Sequence, residues 1–597
     1  MQWIPKEPLG NFCVMRSLSG FRLFVRYLTL LMGIALIWLT SAGAGDFQRD
    51  IRALSAFGDR GTGTSGCRSA AEYIQNQFRE AGFSEVGVHR YSLPILQQGK
   101  SQMTVPDRIK AISLHPLLGN AISPQAIDPQ GLKGPLIYAG NGALTEFNGK
   151  AIEGAVLLME LDSGENWIQA ASLGAKALIY VDRGLSSRAM FEDKYELSPI
   201  QFPRFWLSLE DARNNFGEFE TASKGLVFPK IQLNSEVGWK EVVGENIYCL
   251  IPGRNSNLQE ELMMIEAFYD STTYVPGLSP GADEAVSIAT LLELARKFNE
   301  TPPERSLLLV ATSGHAQSLA GLRDLVWSLR ASPKDLRKQK KHLRDLIKDT
   351  RKVLNVLDPG LRQGAAEPPD SDITAASADA ENSPLETLVK KAISDEIKTR
   401  VDVISRELMQ LRLQEPDSDN QEKIQTLAKD RRLLRQLGWQ SSFKNLSSEE
   451  QSVLNQLKPS VILHQKAILR DASGEAKLLD NALDFRSLIK SRELMVAISL
   501  HLSSHGDGFG AFSQGWLYPL KPSVNRSSVY TLLDGAMHQG SEELPLFRDT
   551  LRPSKLRTWQ SYFMDRPFLG GEVSALAGYI GASLATVHDA RSLWGTP

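Results

Sequence analysis

Residues 261–322 read ELMMIEAFYDSTTYVPGLSPGADEAVSIATLLELARKFNETPPERSLLLVATSGHAQSLAGL. Two apolar runs of strand length, Leu262 to Tyr269 and Ser306 to Thr312, enclose a helix expected from Glu284 to Phe298. That order is a βαβ unit. Parallel strands joined through a helix cross over right-handedly in a sheet covered on both faces, and ligands gather beyond the carboxyl ends of such strands. The residues placed there by the pattern are Asp270, Asp283 and His315.

The succession Tyr269-Asp270-Ser271, Pro280-Gly281-Ala282-Asp283, the helix Leu291-Leu292-Glu293-Leu294-Ala295-Arg296 and Gly314-x-x-Gln317-x-Leu319-x-Gly321 resembles the zinc aminopeptidase and glutamate carboxypeptidase family. Nicastrin and the transferrin receptor are in the same group. In active members the first strand ends His-x-Asp, the loop carries an Asp that bridges two zinc ions, and the second strand ends Glu-Glu, general base and then zinc ligand. Here these places read Phe268-Tyr269-Asp270, Asp283 and His315-Ala316. The run Glu245-Asn246-Ile247-Tyr248-Cys249-Leu250-Ile251-Pro252-Gly253-Arg254 matches the family's lead into that first strand and fixes the register.

The same resemblance returns at Glu493 to Asp507, where a strand that ends in a zinc-binding Asp in relatives ends here in His501, with His505 and Asp507 following. Near the C-terminus a last strand leads to His588, and Thr596-Pro597 stands where relatives have His-Thr-Pro, so that His has become Gly595. Because the sequence stops inside the motif, the resemblance implies a truncated gene or the first part of a longer protein.

A catalytic zinc takes about three protein ligands and a water. By the family's geometry one ion keeps Asp283 and, through a ring nitrogen, His501, and loses its His to Phe268. The other keeps Asp283, loses Glu to Ala316, and retains a His only if His588 reaches it. His315 replaces the general base. Each survivor also has an ordinary structural reading: Asp283 as the N-cap of the following helix, Asp270 in a turn, His315 and His501 as strand-end groups that need a hydrogen-bond partner. The expectation is therefore no resident cofactor, with zinc only if a rearranged site of Asp283, His315, His501 and His588 forms.

The rest of the 597-residue chain sets organisation. It is 42% apolar and 23% charged with net charge −2, which supports several domains and gives no sign of nucleic-acid binding. Arg16, Arg22 and Arg26 precede the uncharged run Tyr27 to Ala44, which ends Ala42-Gly43-Ala44, so residues 1–45 read as a signal peptide or membrane anchor with the body on the extracytoplasmic side. Residues 46–130 begin the peptidase-like domain with helical sequence. The loop Arg60-Gly61-Thr62-Gly63-Thr64-Ser65-Gly66 lacks a preceding strand and a P-loop lysine, so it reads as a turn capping a helix. Cys67 and Cys249 read as two buried free thiols; Cys13 lies ahead of the apolar run.

Residues 131–234 carry strand, helix and strand at Gly154 to Asp162, Ser163 to Leu173 and Gly174 to Asp182, with Trp167, Ile168, Ala171 and Leu173 as the helix's apolar side. This looks like the protease-associated domain of the same family. Asp162, Glu165 and Asp182 are expected to be solvated turn and cap residues. The core resumes over 235–330. Residues 331–466 then read as a charged helical or coiled-coil insert, with a flexible linker from Gln363 to Pro384, a capping box at Ser447 and Glu450, and a solvated basic run from Lys334 to Lys352. Residues 467–597 close the core. The fold class is α/β, a mixed, mostly parallel sheet with helices on both faces, a β-rich insert and a long α-helical insert. Three functions fit: a non-catalytic scaffold for a peptide or protein ligand, a metal-dependent exopeptidase with a rearranged site, and an adaptor acting through the helical insert, with helix-mediated self-association.

Overall fold

The computed structural model describes residues 43–106, 108–117, 127–184, 188–194, 201–279, 281–358, 384–413, 418–440, 443, 446–512, 515, 547–548 and 567–588. The apolar N-terminal run up to Ala42, most of the linker from Gln363, Cys13 and Gly595 lie outside them. Among the described residues no helix is long and apolar enough to cross a membrane. Two compact units result, one made of residues up to Arg330 and from Phe485 onward, the other Ala331–Asp484.

The first unit runs α1 (Gly43–Ala56), α2 (Ser65–Glu80), β1 (Val86–Thr104), β2 (Ile112–Ser113), β3 (His115–Pro116), β4 (Leu132–Tyr138), β5 (Val156–Glu160), α3 (Trp167–Ser172), β6 (Ala177–Asp182), α4 (Arg188–Glu192), β7 (Arg204–Ser208), α5 (Leu209–Phe216), β8 (Leu226–Ile251), β9 (Glu261–Phe268), α6 (Ala285–Glu300), β10 (Ser306–Thr312) and α7 (Ala320–Arg330). The second holds α8 (Pro333–Leu357), α9 (Pro384–Arg412), α10 (Ser418–Trp439) and most of α11 (Ser448–Ile489). β11 (Glu493–His501), β12 (Gly508–Phe512), β13 (Phe547–Arg548), α12 (Gly571–Leu576) and β14 (Ile580–Val587) return to the first.

The βαβ reading holds. β9 and β10 pair in parallel, Ser306 to Thr312 against Leu262 to Phe268, with α6 between them in sequence. All seven residues of β10 are buried, as a strand covered on both faces requires. Its alternate side chains part accordingly: Leu307, Leu309 and Ala311 enter the core with α1, α2 and α6, while Leu308 and Val310 enter the core with α7 and the end of α11. β11 adds to the far side of β9, and β14 to β11, both in parallel. The mixed sheet with helices on both faces is thus as expected.

The β-rich insert is not a separate body. Its strands β4 to β7 pair in parallel and carry their own cores on the two faces, Leu157, Met159, Leu178 and Tyr180 on one and Val156, Leu158, Ile179 and Val181 on the other. They belong to the same sheet, because β8 pairs β4 over Leu226 to Leu233 and β10 over Ile247 to Ile251. Between these ends β8 runs as a ribbon with β1, from Thr104 opposite Gln232 to Val86 opposite Cys249.

Three local expectations change. The helix expected over Ser163 to Leu173 shrinks to α3, which buries Trp167 and Ala170 and leaves Ile168 and Leu173 exposed. Asp182 is buried, accepting from the Trp206 indole at 3.0 Å and the Gly184 amide at 2.8 Å. The helical unit extends to Asp484 rather than Lys466, because the charged sequence after 466 continues α11 without a break. Cys67 and Cys249 are buried free thiols, and burial pushes both up to about 12, which keeps them protonated and inert. The capping box forms: Ser447 Oγ accepts from the Glu450 amide at 3.3 Å, and Glu450 Oε2 accepts from the Ser447 amide at 2.9 Å.

Candidate functional site

The ends of β9, β10 and β11 bring Phe268, His315 and His501 together as an aromatic stack. The Phe268 and His315 rings are nearly parallel, 17° apart with centroids 3.8 Å distant; His501 lies 5.5 Å from Phe268 and 5.4 Å from His315. All three are buried, and Phe568 meets His315 edge-on at 6.2 Å. At that position of β9 a phenyl ring gives stacking and no lone pair.

Asp270, two residues on from Phe268, takes no part in the ring stack. It is 1% exposed, and its Oδ2 accepts from Thr62 Oγ1 at 2.8 Å and the His315 amide at 3.0 Å, while Oδ1 has no hydrogen-bond partner. Burial, reinforced by the nearby Glu284 carboxylate, pushes its acid up to about 7 against the opposing pull of its donors. The turn role expected for it is replaced by that of a buried anchor between the strand ends and the glycine-rich loop.

That loop is the part of the site that sequence reasoning missed. Thr64 caps α2, its Oγ1 accepting from the Cys67 amide at 3.1 Å, as the turn reading implies. Residues before the cap reach further. Thr62 Oγ1 accepts from the Gly314 amide at 2.8 Å while donating to Asp270, so one hydroxyl ties α2's entry to the ends of both β9 and β10. The fully buried Arg60 donates Nε to the Tyr269 carbonyl at 3.1 Å and Nη2 to the Gly281 carbonyl at 2.8 Å, and its own carbonyl accepts from the Ser271 amide at 3.3 Å. Asp59 accepts from Thr273 Oγ1 and the Gly277 amide, at 3.1 and 2.6 Å. The only hint in sequence was that polar residues crowd a turn longer than one cap needs.

Asp283 is not the side-chain cap of α6. Its Oδ1 accepts from the Ser504 amide at 3.0 Å and Ser504 Oγ at 2.8 Å, with His505 Nδ1 at 3.1 Å. The adjoining Glu284 accepts from the Thr272 amide at 2.9 Å instead of capping the helix. His588, at a positive φ of 52°, lies with Nδ1 3.0 Å from Asp507 Oδ1. The structure therefore joins His315 with His501, His505 with Asp283, and His588 with Asp507. Among the described residues no three His, Cys, Asp or Glu side chains form a group that could hold a metal ion. As arranged, this donor set does not fit the zinc pair that the sequence resemblance implies: Phe268 and Ala316 offer no donor, and Asp270 turns its bonded oxygen to Thr62 and the His315 amide.

The loop after β10 shows why its glycines recur at the spacing seen in sequence. Ser318 and Leu319 take positive φ, 58° and 61°, and a Cβ on Gly321 would stand 2.2 Å from the Ser313 carbonyl oxygen and 2.5 Å from Asn246 Oδ1. Asn246, from the run that fixed the register, accepts from the Ser313 amide and donates to the Gly321 carbonyl, at 3.2 and 2.9 Å.

Exchanging Thr62 for valine keeps shape and removes both bonds. The Gly314 amide and the Asp270 carboxyl then lose a partner inside the core, and the expected cost is about 2 kcal/mol of stability, read from a denaturant melt. A loss indistinguishable from zero would show that the hydroxyl does not tie the strand ends.

The first unit is thus a mixed, mostly parallel α/β sheet with flanking helices and polar residues at the carboxyl ends of its parallel strands. Residues 246–392 match the model of peptidase family M28. Among solved structures the chain is similar to a zinc aminopeptidase from Bacillus subtilis, at 23% identity and a TM-score of 0.36, covering 49% of this chain and 66% of that one. It is also similar to an aminopeptidase from Aneurinibacillus sp. strain AM-1, at 18% identity and a TM-score of 0.30, covering 51% and 70%, and to a peptidase M28 precursor from Shewanella amazonensis, at 18% and 0.31, covering 50% and 69%. No curated protein sequence matches the chain. The chain thus spans just under two thirds of the Bacillus enzyme's length.

Proposed function

We propose that this chain is a peptidase-fold protein that binds a peptide or protein ligand without hydrolysing it, held on the extracytoplasmic side of a membrane by the segment Tyr27 to Ala44 or exported by it. One observation carries the reading: the Phe268 ring stacks on His315 at 3.8 Å where the resembled family has a zinc-binding histidine facing its general base. Asp270, Asp283 and His588 have taken structural partners in Thr62, Ser504 and Asp507. A protein retaining the sheet while its strand ends fill with apolar and satisfied polar groups retains a shaped surface rather than an activated water.

Purified protein supplied with zinc is expected to hold substoichiometric metal and to show no turnover of aminoacyl chromogenic substrates. Losing one supporting partner already lowers metal affinity or activity about 10 to 100-fold, and here Phe268 and Ala316 each remove a ligand outright. Stoichiometric zinc that vanishes in a His315→Ala or His501→Ala variant, with turnover that vanishes alongside, would make the protein a metal-dependent exopeptidase with a rearranged site.

A further inference from the structure

We propose that the solvent face of α8 is a docking surface for an anionic lipid bilayer. The helix carries nine Lys and Arg against three Asp. Its buried residues, Leu336, Leu343, Thr350, Val353 and Leu354, face the helical unit's interior. On the same side Gln339 donates to Glu475 at 3.3 Å and Lys340 pairs with Asp480, both on α11. The other side is sorted by charge. Arg337, Lys341, Arg344, Lys348 and Arg351 recur in steps of four and three, so they form one line about 21 Å long down the helix. All five are exposed, and among the described residues none has an ion pair.

A solvated basic run, expected from the sequence because acids interleave it later, needs acids on the same face. In the helix Asp345 and Asp349 fall beside the line, and the one local pair, Asp349 with Lys352 at 3.2 Å, also lies off it. The row therefore presents unpaired positive charge in one plane.

The shape of the face selects the partner. A duplex groove surrounds an inserted helix and would bring phosphates against both Asp345 and Asp349; a flat surface meets the cationic line with Asp345 at its edge and Asp349 turned further away. α8 carries no Phe, Tyr or Trp to stack on an unpaired base. Four to eight Lys and Arg on one helix face is the composition that holds anionic headgroups.

The test is sedimentation of the full chain with vesicles of phosphatidylglycerol and phosphatidylcholine, set against phosphatidylcholine alone. Any insertion of the apolar N-terminal run is common to both, so the ratio isolates the charge effect. The ratio is expected to fall by about 1,000-fold or more in R337Q/K341Q/R344Q/K348Q/R351Q, whose side chains touch no core, and to collapse as salt shortens the Debye length. It is expected to hold in K429Q/R432Q/R435Q, which removes exposed cations from α10. An unchanged ratio in the first variant, or an equal fall in the second, overturns the proposal. Tighter capture by duplex DNA than by the vesicles, through the same five residues, makes the face a nucleic-acid surface and overturns it as well.

Discussion

Replacing Arg60 with alanine is expected to lower the unfolding free energy by about 3–5 kcal/mol, the range found when one partner of a buried charged network is removed. Arg60 is fully buried, and burial pulls its guanidinium below its ordinary value, yet arginine keeps its proton in proteins. The charge is compensated by Glu284 and Asp270 and by the carbonyls of Tyr269 and Gly281. Without it, two carboxyls and two carbonyls stay in the interior with fewer donors, and the segment from Ser271 to Glu284 loses its tie to the strand ends. Arg60→Lys should recover only part of the loss, since one ammonium does not reproduce the planar fork. A chemical denaturation midpoint for Arg60→Ala within error of the parent would contradict this placement.

The second large effect concerns Glu266, in the middle of β9 and 1% exposed. Its two oxygens meet the hydroxyls of Thr312 on β10 and Ser499 on β11. Burial raises its acid from 4.5 to about 7, against the opposing pull of both hydroxyls. A raised folded-state value means that the folded protein holds the proton longer than the unfolded chain. Stability from this group is complete below about pH 4.5 and is lost as pH climbs to about 7. Glutamine reproduces the protonated acid, with one donor and one acceptor for two adaptable hydroxyls. Glu266→Gln should therefore gain on the parent by about 3 kcal/mol between those limits and run parallel to it above them. His89 acts in the opposite sense: burial lowers it to about 4, so its stability is lost as pH falls below its unfolded value of 6.5. Taking the difference between variant and parent cancels it. A difference that stays flat with pH would show that Glu266 is ionised in the folded protein throughout.

The sheet's organising unit was legible because both local signals agreed, a continuous apolar run for a strand buried on two faces and a helix of crossover length between two such runs. The run from Asn246 was legible as register, and the structure gives its reason in the contacts with Ser313 and Gly321. What escaped is long-range. Nothing near Arg60 or Thr62 announces partners at Asp270, Gly281 and Gly314, since the two stretches meet only once the sheet has formed. Asp283 looked like a cap because it precedes a helix, but Ser504, far along the chain, offers both an amide and a hydroxyl. Glu266 passed unnoticed as one polar letter in an apolar strand. The end of the helical insert was misplaced because an unbroken helix continues past the shift in composition on which the boundary rested.

The β1–β8 ribbon sets the order in which the chain can be assembled. Its strands lie on either side of the whole β4–β7 segment in sequence, so Val86 meets Cys249, and Thr104 meets Gln232, only after everything between has been synthesised and drawn in. Closing so long a loop is entropically costly until the intervening segment has compacted, and contacts of high sequence separation slow folding. The parallel strands β4 to β7, each near its neighbour along the chain, need no such closure to pair, and their pairing shortens the loop. The ribbon then zips, delivering Ile247 to Ile251 to β10. The flank that β8 gives to β10, beside the candidate site, thus depends on the compaction of a segment, β4 to β7, that supplies none of the site's side chains.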